Sequence, residues 1–276
     1  MRTPRLSTTA KATDVQPSTV PRPRALRARR ITIRVVYTLL SIWTLMMSMG
    51  LVGLLTGGVP AGPYGFGAGA TTVWKLQSCG GFVVLAWTAG RSVPAAQWVV
   101  VGQATWLTAD LLAPQDPTSG PGATVLLYTF NTLVFLGPWL LLAPERREVL
   151  HLHARPDRVA LGVAVLLLPL AALWARNNAA LRIPTIGEND GAELTFDLVG
   201  LALVLGFVGV FAALRPRGAR WLIGTLAAAF AYLGVLTLLT SPTDLASPGR
   251  AGGLTFLALA VFFSWRARAT IGVSRA

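Results

Sequence analysis

The stretch TTVWKLQSCGGFVVLAWTAG, residues 71–90, holds a single charged side chain, Lys75, in twenty positions. Its length is the decisive quantity. A bilayer's hydrocarbon core is about 30 Å thick and an α-helix rises about 1.5 Å per residue, so roughly twenty apolar residues cross it. The stretch lacks the alternation of a barrel strand, and in lipid only a helix satisfies its backbone groups within one segment. Residues 71–90 therefore read as a transmembrane helix, and the lysine inside them needs an explanation.

Seven further apolar blocks of similar size lie at 35–55, 94–113, 123–143, 159–175, 194–214, 221–240 and 250–265, the last being short for a full crossing. Of all residues 53% are hydrophobic and only 13% charged, against about 25% charged in soluble domains, so the chain cannot cover its apolar surface in water. The expected fold is an all-α polytopic membrane protein, a bundle of about eight transmembrane helices.

Positive charge orients the bundle. Nine of the 24 Lys and Arg residues precede Ile31 or sit at Arg34, and Arg91, Arg146, Arg147, Arg155, Arg158, Arg215, Arg217, Arg220, Arg266, Arg268 and Arg275 fall on the same side. The opposite side carries Arg176, Arg182 and Arg250. Cytoplasmic loops retain Lys and Arg, so both termini are expected in the cytoplasm. Residues 1–34 read as a disordered basic tail, 35–265 as the membrane domain and 266–276 as a short basic tail. The same asymmetry accounts for a net charge of +13 without nucleic acid, since anionic headgroups attract each basic residue near the surface by about 1 kcal/mol. The apolar run from Val35 to Leu55 exceeds the roughly 7–15 residues of a cleavable signal, which favours a retained helix. Two lysines against 22 arginines, with abundant Ala and Gly, suggest a GC-rich bacterial source and hence a plasma membrane.

Catalytic and metal signatures are sparse. Cys79 is the sole cysteine, which precludes an internal disulfide and reads as a packing residue. His151 and His153 stand two apart in a loop near Asp157, with no HExxH or CxxC to complete a metal site, and the phosphate, dinucleotide and serine-nucleophile motifs are missing. No cofactor or metal is expected.

The informative residues are polar ones inside the spans, because an ionised group at mid-bilayer costs several kcal/mol unless it faces protein or water. Lys75 in the second span, Asp110 in the third and Asp197 in the sixth each lie about four residues, roughly 6 Å, beneath the outer end. The short connection between spans two and three allows a Lys75–Asp110 ion pair. The three suggest an outward-facing polar vestibule, with Gln103 and Asn131 deeper. Snorkelling to the headgroups is the competing use of each charge, and interhelical hydrogen bonding the competing use of each amide. The outer segment ARNNAALRIPTIGENDGAE, residues 175–193, offers Arg176, Arg182, Glu188 and Asp190 as a gate over that vestibule. Gly200, Gly206 and Gly209, facing the small residues of span seven, mark spans six and seven for the closest contact.

A four-plus-four parallel repeat is the further organisation the pattern admits. TFNTLVFLGPW at 129–139 and TFLALAVFFSW at 255–265 share Thr-Phe and a terminal Trp, each following a Pro-Gly pair. VWKLQ and TFDLV then place Lys75 opposite Asp197 across the axis. Three functions suit this chain: a permease for a small polar or ionic solute, a noncatalytic membrane subunit joining a protein partner or its own copies, and an enzyme acting on a lipid-linked substrate. The first is preferred to the last because a denser set of His, Asp and Arg at one surface would mark lipid chemistry.

Overall fold

The computed structural model describes residues 23–47, 65–113, 120–148, 156–180, 188–214, 220–240 and 247–273. Helix accounts for 93% of them and no strand occurs among them, so the chain is all-α. Eight helices follow the eight apolar blocks: α1 Pro23–Met47, α2 Gly65–Trp87, α3 Val93–Leu112, α4 Pro121–Leu142, α5 Arg158–Ala180, α6 Glu188–Leu214, α7 Arg220–Leu239 and α8 Gly249–Val273. A 3₁₀ turn, Pro144–Glu148, follows α4. By length and apolarity four of the helices, α4 to α7, qualify to cross a membrane.

Several boundaries differ from expectation. Helix α1 begins at Pro23, so residues 23–34 are helical where a disordered tail was expected. The cause is local: Pro opens a first turn without losing a hydrogen bond, and the run of Arg, Ala and Leu after it has high helix propensity. Likewise α8 continues to Val273 through Arg266 and Arg268, into the region expected to be a tail. Residues 1–22 and 274–276, like His151 and His153, lie outside the described residues.

Burial separates centre from periphery. Of the apolar window of α6, 78% is buried, against 17% for α4 and for α5, so α6 is the axis of the bundle and α4 and α5 present most of their surface outward. Around α6 a core gathers Trp74, Phe196, Leu201, Val204, Leu226, Phe230 and Phe263. A second core, with Ile33, Tyr37, Phe82, Val99 and Trp139, fills the space among α1 to α4. Spans six and seven do not form the closest contact that their small residues suggested: α7 packs most extensively on α8, and α5 on α6. The glycines explain it. Gly200 receives the ring of Trp74 from α2, and Gly206 and Gly209 face Leu168 and Ala164 of α5. The close backbone crossing is instead α7 on α8, where Gly234 meets Leu257 and the carbonyl of Gly253.

One end of the bundle is tied by polar contacts. Helices α2 and α3 turn through Ala89 and Gly90, both at positive φ (49° and 77°), and a Cβ on Gly90 would meet Ile33 at 2.9 Å, so this position requires glycine. Ser92 caps α3 through the amide of Ala95, and the Trp139 indole donates to the Gly90 carbonyl at 2.8 Å. Arg30 donates to Glu145 at 2.8 Å. On the other half, Asp157 caps α5 by accepting from the Ala160 amide, donates its own amide to Ala213, and pairs with Arg266 of α8 through Nε at 2.8 Å and through Nη2. Replacing Asp157 with Ala removes a cap and leaves a largely buried guanidinium unmatched. The expected cost is about 3 kcal/mol, measured as a shift in the unfolding midpoint of the detergent-solubilised protein, with Asp157→Asn retaining the part due to the cap.

Candidate functional site

Lys75 is the eleventh residue of α2, and Asp197 the tenth of α6. Both helices start six residues earlier than the apolar blocks indicate, which puts both charges roughly 15 Å from their helix starts. The two still share a level. Asp110, by contrast, is two residues from the end of α3, near the bundle's rim.

Lys75 Nζ lies 3.7 Å from Asp197 Oδ2, with the lysine side chain 18% exposed and the aspartate 4%. The pair bridges α2 and α6, the two helices whose charges the four-plus-four reading set opposite each other.

Aromatic packing holds the ion pair in place. Trp74, one residue before Lys75, stacks on Trp106 of α3 at 5.1 Å and meets Phe196, one residue before Asp197, at 6.1 Å edge-on. Trp106 and Phe196 close the triangle at 5.5 Å. The indole of Trp74 occupies the space over Gly200, where a Cβ would stand 2.4 Å from the ring. A second close approach sets α3 against α2: a Cβ on Gly102 would be 2.0 Å from the Ser78 carbonyl oxygen, so only glycine allows the two backbones this near. That contact brings Gln103 alongside Lys75 and Cys79.

These elements enclose a cavity of about 310 Å³, lined by Trp43 and Thr44 of α1, Lys75 and Cys79 of α2, Gln103 and Trp106 of α3, Tyr128, Asn131 and Phe135 of α4, and Asp197 of α6. It lies towards the helix ends opposite Arg30 and Arg266. Four of the five residues expected to be polar vestibule positions, Lys75, Gln103, Asn131 and Asp197, line this one cavity; Asp110 does not. Trp106 carries an indole N–H that is buried with no acceptor among the described residues. Of the outer-loop residues, Arg176 is exposed near the end of α5, Glu188 and Asp190 fall in the first turn of α6, and Arg182 lies outside the described residues.

The additional lining residues escaped sequence reading, although helical spacing carried a signal for several. Cys79 is four residues from Lys75, Trp106 three from Gln103, and Tyr128 and Phe135 three and four from Asn131, so each shares a face with a residue already singled out. Trp43 and Thr44 had no such marker, since α1 holds no buried charge to index its face. Gln77 of α2 donates to the Thr225 carbonyl of α7 at 2.9 Å and borders a separate, mainly apolar crevice.

A site built this way offers an ammonium, a carboxylate, two carboxamides and two hydroxyls amid indole and phenyl rings. Among the described residues no three His, Cys, Asp or Glu side chains are grouped to hold a metal. No protein family, curated protein or solved structure matches this chain, and the fold and cavity define it only as an all-helical protein whose apolar helices suit a membrane.

Proposed function

We propose that the chain is a plasma-membrane permease for a small polar or ionic solute, crossing the bilayer eight times with both termini in the cytoplasm. The observation that carries this reading is the buried Lys75–Asp197 pair set against a 310 Å³ cavity. Two opposite charges taken out of water contribute little to stability relative to a hydrophobic pair, and intramembrane ionisable groups that face a cavity mark solute pathways.

Orientation supports an outward-facing state. The end tied by Arg30–Glu145 and Asp157–Arg266 is the arginine-rich one that the charge bias assigns to the cytoplasm, and the cavity lies in the opposite half.

The neighbour pattern supports two parallel halves, α1–α4 and α5–α8. In each, consecutive helices pack on one another, and α2 meets α6 at the centre. Lys75 contacts its counterpart Asp197, and Trp98 of α3 meets Trp221 of α7 with ring centres 4.9 Å apart. Contacts between matching helices are what a twofold along the membrane normal produces close to its axis. Each half also holds one ion pair between its first and last segments: Arg30 of α1 to Glu145 in the turn after α4, and Asp157, which caps α5, to Arg266 of α8. Rocking of one half against the other is how such repeats give alternating access.

Reconstituted into liposomes, the protein should carry radiolabelled polar solutes at a rate that falls at least about tenfold in Asp197→Asn, since intramembrane charged pairs of this kind sit on the solute path. A stoichiometric protein partner copurifying with a chain that moves no solute would overturn the proposal in favour of a noncatalytic subunit.

A further inference from the structure

Resting on the permease reading, we infer that the cavity selects a small zwitterion, one molecule bearing a carboxylate and an alkylammonium group. The charge inventory of the walls carries the argument. Lys75 and Asp197 contribute one positive and one negative charge, and the other eight lining residues are uncharged. A ligand of net charge would leave one unit uncompensated in a poorly solvated site, at a cost of several kcal/mol. A zwitterion adds no net charge. Its carboxylate turns to the Lys75 ammonium and its ammonium to the Asp197 carboxylate, so that the ligand takes the place of the direct contact between those two charges.

The looseness of the resident pair favours that exchange. Lys75 and Asp197 stand 3.7 Å apart, whereas Arg30 and Glu145 are in contact at 2.8 Å. Charge-assisted hydrogen bonds close to about 2.7–2.9 Å, so the central pair is separated by almost an ångström more than a tight one.

The uncharged walls discriminate further. Trp43, Trp106, Tyr128 and Phe135 supply aromatic surface, which attracts an alkylated ammonium through the ring quadrupole. The Trp106 N–H, with no acceptor among the described residues, and the amides of Gln103 and Asn131 provide donors for a carboxylate. A volume of about 310 Å³ equals roughly ten waters, which suits a small solute and excludes a lipid-sized one.

Isothermal titration calorimetry on the full-length protein in detergent tests this, with glycine betaine as the zwitterion, acetate and tetramethylammonium as its separate halves, and glycerol as an uncharged solute. Betaine is expected to bind at least about tenfold more tightly than any of the other three, the worth of one desolvated charge contact. Equal or tighter binding of acetate, tetramethylammonium or glycerol overturns the inference, as does no heat with any probe. Lys75→Gln should abolish betaine binding while the protein remains monodisperse. Should that variant not fold, Trp106→Phe keeps the ring and removes the N–H, and a loss of about fivefold or more is expected; unchanged affinity in either folded variant counts against the proposal. Betaine binding without betaine flux would sustain the ligand class and overturn transport. Flux of another solute through a protein that ignores betaine would overturn the ligand class and sustain transport.

Discussion

Asp197→Leu should destabilise the protein by about 3–5 kcal/mol, and Lys75→Met by a similar amount, whereas the double variant should recover most of the loss. Removing one member of a buried ion pair strands the other charge in a medium that solvates it poorly, while replacing both with apolar residues of similar volume is close to neutral. The two side chains are 4% and 18% exposed and bridge the central helix to α2, so neither is placed to recover full hydration without disturbing the bundle. Unfolding titrations of the four proteins in detergent give the coupling energy directly. Singles costing under about 1 kcal/mol, or a double equal to their sum, would mean that both charges reach headgroups or water independently, as snorkelling allows. Solute flux separates stability from function: the double variant, though folded, should carry nothing.

The second large effect is expected at Gly102, where even alanine should cost about 3 kcal/mol or more and valine should prevent folding. Overpacking typically costs about 1–3 kcal/mol when side chains can shift. Here the added Cβ would stand 2.0 Å from the Ser78 carbonyl oxygen, and a backbone atom within a helix has no rotamer to change. Relief requires moving α3 away from α2, which also separates Gln103 and Trp106 from Lys75. Gly162→Ala and Gly224→Ala are the controls, because nothing lies within 4 Å of a Cβ at either site, and helix propensity should leave them neutral or slightly stabilised. Fluorescence-detected size-exclusion chromatography before and after heating distinguishes the outcomes. A Gly102→Ala protein as heat-resistant as the parent would contradict the close crossing of α2 and α3.

Both effects turn on contacts that no local pattern specifies, and the contrast with what local pattern did specify is informative. Each helix among the described residues overlaps an apolar block, because apolarity and the need to satisfy every backbone group act on each segment separately. The ends are less legible. Helices α1, α2, α5, α6 and α8 run beyond their apolar blocks; at α1 and α8 the extension is a basic stretch of good propensity, which hydropathy alone would leave out.

The candidate site divides in the same way. Lys75, Asp197, Gln103 and Asn131 were conspicuous in sequence because polar groups in apolar helices are costly and need a local reason. Which of them meet was not conspicuous. Hairpin connectivity offered Asp110 as a partner of Lys75 and the repeat offered Asp197; Asp197, 122 positions away, stands at 3.7 Å, because α6 lies at the centre of the bundle and Gly200 lets the Trp74 ring seat α2 against it.

Sequence by itself thus determined the all-helical class and the set of side chains that do not belong in an apolar interior, each being a property of one segment and its solvent. Tertiary structure alone decided how near Lys75 comes to Asp197, the aromatic walls and the size of the cavity between them. Those depend on how closely helix surfaces approach, which is set by where glycines admit a neighbour's ring or backbone and has no signature in any single helix.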